Sequence, residues 1–262
     1  MDKLYHYTTF EALNSILSSK SIWLGNVHYM NDKNEMRYLF DLLKEDLLND
    51  YPECENIISK MFDDQQKRLA NKPAYIFSMS KDEDDAAQWD RYSNRGSGVC
   101  IEFDGKALEQ ITKGKAELKT VYYSREKTHL NYKKIMGMYL KGKGNLSEDD
   151  KVDLDQLFEI GNSSAITYKH KSFKSENEVR LCAFYGLEGD LHYIITDKGV
   201  KEYYSISLED GSNMKGLIKK IILGPNASVD EYIFKRYLNK LSKEKHIDIS
   251  GIQIKNSDSP LR

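Results

Sequence analysis

The chain has 262 residues, 40% hydrophobic and 31% charged, and its 11% aromatic content includes 18 Tyr. That is ample material for a folded core and argues against disorder, while 4 Pro and 16 Gly exclude collagen-like and low-complexity chains. A formal net charge of -2 gives no global attraction to nucleic acid or anionic lipid, and no segment approaches the roughly 18 to 20 apolar residues of a membrane span. Cys54, Cys100 and Cys182 lie far apart with no CxxC pair, which excludes a disulfide framework and a zinc-finger cage. The opening MDKLYHYTTF lacks the apolar stretch of a secretory signal, so a cytoplasmic location is expected.

In chain order, LYHYT (4–8) reads as a short strand. A helix follows, capped by Thr8 or Thr9, with Phe10, Leu13, Ile16 and Leu17 at helical spacing. SIWLG (21–25) is a second strand. Asn31 or Asp32 caps a long amphipathic helix that carries Met36, Leu39, Leu43 and Leu47 on one face. Another helix over 53–70 ends before Pro73. AYIFSMS (74–80) and GVCIEFD (98–104) are buried strands separated by an acidic, loop-to-helix stretch, and LKTVYYS (118–124) is a further strand. Residues 128–170 are mostly helical, broken by KGKGN and restarted at Ser147–Asp150. Strands follow at 176–185, 191–196, 201–208 and 217–225, then a helix through VDEYIFKRYLNKLSKE and a last strand in ISGIQIKN. The expected class is α+β: one elaborated domain over 1–262 with a mainly antiparallel sheet. Helical insertions at about 32–70 and 128–170 lie on one side of it.

The usual catalytic signatures are missing. The sequence contains no GxGxxG, GxxxxGK[ST], HExxH or GxSxG, and its six His are dispersed without metal-ligand spacing. What stands out is polar residues where strand patterning expects core. His6 sits in the first strand. Ser78 and Ser80 alternate on one strand face, followed by Trp89 and Tyr92 in QWDRY. In ENEVRL, alternation puts Glu176, Glu178 and Arg180 on one face and Val179 and Leu181 on the other. Each piece has an ordinary explanation: a hydrogen-bonded histidine, a polar edge strand, two core aromatics, a solvated Glu–Arg pair.

Five segments resemble the bacterial DUF2971 family in its order. They are LYHYTTFEALNSILSSKSIWLGNVHYMNDKNEM, FSMSKDEDDAAQWDRYSNRGSGVCIEFD, FKSENEVRL, IKKIILGP and SGIQIKNSDSPLR. A more distant resemblance joins His6 near the first strand, the aromatic and serine strand FSMS, and Phe173-Lys174-Ser175-Glu176-Asn177-Glu178-Val179. That order is similar to the three-part signature of the ADP-ribosyltransferase superfamily, although the middle part is neither Tyr-helix-Tyr nor Ser-Thr-Ser.

The resemblance implies a split antiparallel sheet and a site for NAD as substrate, with no metal. Cleaving the N-glycosidic bond of NAD passes through an oxocarbenium-like ribosyl cation, and nicotinamide leaves without being protonated. The resemblance assigns Glu178 to the ribose 2′-hydroxyl and the cation, and Glu176 to the acceptor. His6 takes the adenosine ribose, with the backbone of Tyr7 or Thr8 at the carboxamide. Tyr92 or Trp89 stacks on nicotinamide, Ser78 or Ser80 supports Glu178, and Arg180 meets the pyrophosphate or pairs with a carboxylate. The implied partner is a macromolecular acceptor, protein or nucleic acid, as for a toxin or phage-defence effector with a cognate inhibitor. Water in place of the acceptor makes an NAD glycohydrolase, and loss of chemistry leaves a nucleotide-binding module. A basic, aromatic stretch over 113–144, with Lys119, Arg125, Lys133, Tyr122 and Tyr132, keeps nucleic-acid binding as a further alternative, against the plainer reading of a solvated helix face.

Overall fold

The structure is a computed structural model that describes residues 3–29, 36–69, 73–141, 148–184, 191–196, 199–208 and 216–261. The strands are β1 (Lys3–Thr8), β2 (Ser21–Asn26), β3 (Ala74–Ser80), β4 (Val99–Asp104) and β5 (Glu117–Thr120), then β6 (Glu178–Phe184), β7 (Leu191–Thr196), β8 (Gly199–Ser207), β9 (Ile218–Leu223) and β10 (Gln253–Asn256). The helices are α1 (Phe10–Ser19), α2 (Tyr38–Asp50), α3 (Glu55–Leu69) and α4 (Ala86–Tyr92), then α5 (Gly105–Thr112), α6 (Lys127–Leu140), α7 (Glu148–Ala165) and α8 (Glu231–Lys245). Side-chain caps start several of them. Thr9 Oγ1 accepts from the Ala12 N–H, Asp85 from Gln88, Asp104 from Lys106 and Ala107, and Asp230 from Tyr232 and Ile233. The caps expected at Asn31 or Asp32 and at Ser147, and residues 142–145 of the KGKGN turn, lie outside the described residues.

The protein is α+β, with a mixed, mostly antiparallel ten-stranded sheet. Its main path runs β10-β9-β4-β1-β3-β2-β8-β7, with β6 paired to β3 and β5 paired to β6; β9 and β10 run parallel. Strand β3 positions the site. Strand β6 pairs with it over its whole length, from Ala74↔Phe184 to Ser80↔Glu178. A strand has only two edges, so β1 and β2 share the other one. Strand β1 meets it at Ser80 (partner Tyr5), and β2 meets it at Tyr75 and Ile76. Between those points the two strands diverge, and the edge of β3 at Phe77–Met79 faces a fork.

The two faces of the sheet are covered differently. On one, Leu13 and Leu17 of α1, Leu108 of α5, and Phe234 and Leu238 of α8 pack on Leu24, Phe77, Ile101, Val179 and Ile221. On the other, α2, α3, α6 and α7 cover Ile76 and Cys182 with Leu39, Phe40, Phe62, Met136 and Phe158. Each such fully buried side chain contributes roughly 1.5–3 kcal/mol of transfer free energy. Helices therefore lie on both sides rather than one, because the other face also carries apolar side chains, among them Ala74, Ile76, Cys100, Cys182 and Ile222, that must be buried. The insertions themselves do share one face, as the spacing of Met36, Leu39, Leu43 and Leu47 requires.

Helix α5 was not expected from the sequence, and several boundaries shift. Helix α2 is described from Tyr38. Strand β5 stops at Thr120, after which Tyr122 makes an isolated parallel bridge to Tyr168. Strand β6 begins at Glu178 because Asn177 is left-handed (φ 44°, ψ 49°) and caps a 3-10 turn over Lys171–Glu176. Glu176 is thus not a strand residue, and simple alternation does not place it.

Candidate functional site

A cavity of about 300 Å³ opens at the fork, lined by residues of β1, β3, α4, the 3-10 turn and the start of β6. Its polar wall follows from register. Ser78 lies opposite Arg180 and Ser80 opposite Glu178, so all four share one sheet face. Elsewhere on that face Ile76 and Cys182 are covered by helices, whereas here the side chains meet one another and the cavity.

Glu178 is the centre of the arrangement. Its Oε1 accepts from Arg180 Nε at 2.8 Å, and its Oε2 accepts from Arg180 Nη2 at 3.0 Å and Lys169 Nζ at 3.1 Å. Its backbone N–H donates to Tyr123 Oη at 2.9 Å. Burial alone raises this carboxyl, but the Arg180 guanidinium, the Lys169 ammonium and the Ser78 hydroxyl outweigh it and bring it down to about 2. Glu178 is therefore an anion at neutral pH, not poised to act as a general acid.

Glu176 reaches the same cavity from the turn. Its Oε2 accepts from Lys169 Nζ at 2.7 Å, and its Oε1 accepts from Tyr92 Oη at 2.7 Å and Arg91 Nη1 at 3.2 Å. Its carbonyl oxygen accepts from Ser80 Oγ and Gln88 Nε2, and Asn177 Nδ2 donates to Asp82 Oδ1. Those bonds fix the left-handed corner that turns Glu176 toward Glu178. The phenol of Tyr92 is pushed up by burial and by its bond to the Glu176 carboxylate, so it stays protonated and donates.

His6 closes the fork from the side of β1. Its Nδ1 lies 2.8 Å from the Ser78 carbonyl oxygen, which can only accept, so Nδ1 carries the proton and Nε2 is left as an acceptor. The ring stacks on Phe77 with centroids 4.0 Å apart. Burial lowers this imidazole to about 4, against the opposing pull of the Ser78 carbonyl, so it is neutral at neutral pH. Past Tyr5, β1 is paired to β4 along one edge, while among the described residues no strand pairs with its other edge at the fork.

Seven of the ten residues singled out from sequence line this cavity: His6, Tyr7, Ser78, Ser80, Tyr92, Glu176 and Glu178. The other three lie elsewhere. Thr8 is buried and pairs with Val99 at the far end of β1. Trp89 is fully buried, edge-on to Tyr7, with its indole N–H donated to Asp84 at 2.7 Å, so of the two aromatics only Tyr92 presents its ring to the cavity. Arg180 is fully buried behind Glu178, donates to the Ile166 carbonyl oxygen as well, and does not line the cavity. The Tyr7 hydroxyl is also committed, donating to the Asp82 carbonyl oxygen and accepting from the Asp85 N–H. Of the two serines, Ser80 donates to the Glu176 carbonyl oxygen, and the Ser78 hydroxyl helps to lower the Glu178 carboxyl.

Gln88, Lys169 and Phe173 also line the wall, with Tyr5, Ile76 and Met79, and were not singled out as site residues. Lys169 appears in the sequence only as part of a basic run, and nothing in its spacing marks it as buried. Among the described residues no group of His, Cys, Asp and Glu is placed to hold a metal ion, and no helix is long and apolar enough to cross a membrane.

Residues 88–181 match the DUF2971 family, described as "Protein of unknown function (DUF2971)". The DUF2971 stretch begins at Gln88 and includes Tyr92, Lys169, Glu176 and Glu178, while His6, Ser78 and Ser80 lie outside it. Of the five segments that resemble the family, it holds all of FKSENEVRL and, from the second, QWDRYSNRGSGVCIEFD. No curated protein and no solved structure matches the chain.

Proposed function

We propose that this protein is an NAD-dependent ADP-ribosyltransferase that modifies a macromolecular acceptor, in the manner of a toxin or phage-defence effector. The observation that carries this reading is the fork. A neutral imidazole, an exposed serine, a tyrosine ring and a glutamate ionised at neutral pH converge on one cavity where two strands leave a common neighbour. A split antiparallel sheet with a polar cleft is what the resemblance to the ADP-ribosyltransferase superfamily implies, and the sequence elements behind that resemblance meet here. A cavity of about 300 Å³ is at the low end of small-molecule sites. It encloses one ring and its sugar, leaving the rest of a dinucleotide on the rim.

In this reading the C1′–N bond of the nicotinamide ribose breaks and nicotinamide departs with the bonding electrons. Glu178 accepts a hydrogen bond from the 2′-hydroxyl and places negative charge beside the cation. The acceptor's nucleophile bonds to C1′ and its proton passes to Glu176. Tyr92 stacks on the nicotinamide ring, and His6 Nε2 accepts from a ribose hydroxyl of the adenosine half. With Arg180 paired to Glu178, pyrophosphate binding falls to other groups.

The decisive measurement is NAD consumption by the purified chain, with and without lysate, beside Glu178→Gln. We expect lysate-stimulated transfer of label that falls at least about 100-fold in the variant, the usual cost of losing an electrostatic group at the reacting centre. Free ADP-ribose in place of labelled macromolecule would make the protein a glycohydrolase. Unchanged turnover in Glu178→Gln would remove Glu178 from the chemistry. One observation favours a non-catalytic nucleotide-binding module instead: both Glu178 oxygens are already held by Arg180 and Lys169. That reading predicts a nucleotide that raises the melting temperature and is never consumed.

A further inference from the structure

We propose that Lys169 is a positioning residue, a shared counter-ion that lets Glu176 and Glu178 stand as two anions in one cavity. Its Nζ donates to Glu176 Oε2 at 2.7 Å and to Glu178 Oε2 at 3.1 Å, which puts those oxygens within about 6 Å of each other. At that separation in a buried site, each carboxylate raises the other's affinity for a proton, and a cation between them offsets this.

The ammonium has little freedom to leave. The side chain is buried, its Nζ lies 4.9 Å from the Phe173 ring centroid, and its backbone N–H donates to the Tyr122 carbonyl oxygen beside the Tyr122–Tyr168 bridge. The groups facing the pair come from every neighbouring element. Arg180 lies on β6, Ser78 on β3, Arg91 and Tyr92 on α4, and Tyr123 follows β5. Arg180 serves Glu178 and Arg91 serves Glu176, whereas Lys169 touches both carboxylates.

The role in turnover rests on the transferase reading. A Glu176 that carries a proton cannot accept that of the incoming acceptor, so losing Lys169 moves the onset of that step to higher pH. The ionisation itself does not depend on NAD, and so it is tested separately.

The experiment is a pH titration of glutamate side-chain carboxyls by carbon-13 NMR in the wild type, Lys169→Met, Lys169→Arg and the double variant Lys169→Met/Glu176→Gln. In Lys169→Met the titration midpoint of Glu178 rises by at least about one pH unit, as expected for a buried like-charge pair that has lost a shared cation. Adding Glu176→Gln reverses most of that rise, and Lys169→Arg titrates near the wild type. A Lys169→Met titration that overlays the wild type overturns the proposal. Should Lys169→Met not fold, folding of the double variant supports the proposal, and failure of both overturns it. An inactive wild type with a shifted Lys169→Met titration would sink the transferase reading alone. An active wild type with no shift would sink the counter-ion role alone.

Discussion

Two clusters of buried and half-buried charge stand in this protein, and they differ in what they face. The first is the fork, where Lys169 and Arg180 meet Glu176 and Glu178 with every side chain at most 8% exposed. The second joins α2 to α6. Asp46 accepts from Arg125 Nε at 3.0 Å and from His129 Nε2 at 2.8 Å, Arg125 also reaches Glu45, and Lys133 Nζ lies 2.8 Å from Asp50. Here only His129 is fully buried, while Arg125, Glu45 and Asp50 are more than 40% exposed. The helix cluster closes a seam between packed elements. The fork cluster meets Arg91 and Tyr92 of α4 and opens on a cavity. Ion pairing alone is therefore architecture; pairing beside unpaired backbone and empty space is what marks a site. Part of the basic stretch over 113–144 joins the second cluster. Arg125 and Lys133 are engaged with α2 carboxylates, Lys119 pairs with Glu117, and Tyr132 is buried in the helical core.

The largest effect expected from this contrast is at Arg180. Replacing it with Leu leaves Glu178 buried beside a single remaining cation, and removing one partner of a buried pair typically costs about 3–5 kcal/mol. Urea denaturation at neutral pH reads this directly. The deficit should shrink as pH falls, because the variant's Glu178 carboxyl, no longer held down to about 2, takes up a proton and loses its buried charge. A loss below about 1 kcal/mol would show that the fork pairs are no more structural than the exposed ones on α2.

His6 gives a smaller effect with a defined window. Its folded value of about 4 lies below the ordinary 6.5, so between those limits the unfolded chain binds a proton that the folded chain does not. The stability this contributes is full above pH 6.5 and is lost as pH falls toward 4. The integrated loss is up to about 3 kcal/mol at 1.36 kcal/mol per unit. His6→Gln should flatten that part of the wild-type stability profile. Parallel profiles for the two proteins would mean that the imidazole is hydrated and titrates freely, which would also remove the fixed tautomer at the cavity.

How far the site was legible follows from the same physics. His6, Ser78, Ser80 and Glu178 announced themselves because strand period 2 leaves polar residues conspicuous among apolar neighbours, and all four lie on β1, β3 or β6 as read. Glu176 was placed on the right wall by the wrong argument: alternation fails at the left-handed Asn177, and hydrogen bonds from Ser80 and Gln88 do the placing. Trp89 and Tyr92 are three apart on one helix turn, and no spacing rule says which faces solvent. Packing against Tyr7 and the bond to Asp84 decide it. Lys169 was illegible because it follows a helix end in no regular element, and a lysine in a basic run carries no mark of burial. The fork itself depends on β3 having three partners, a property of long-range pairing that local patterns do not contain.

The smallest effect is the one that tests the other half of the contrast. Asp46→Asn removes the charge that faces Arg125 and Lys133 but keeps an oxygen able to accept from His129. Burial raises the Asp46 carboxyl, and the bonds from Arg125 and His129 more than offset this, so its folded value is below the ordinary one. Its contribution is therefore present at neutral pH and fades as pH falls through the folded value. Because Arg125 and its partner Glu45 are largely exposed, we expect a loss of only about 1 kcal/mol, reduced further by added salt. NAD consumption should stay at the wild-type level, because the cavity is lined by other elements. A loss of stability equal to that of Arg180→Leu, or a fall in turnover with the fold intact, would couple the α2–α6 seam to the fork and dissolve the distinction between them.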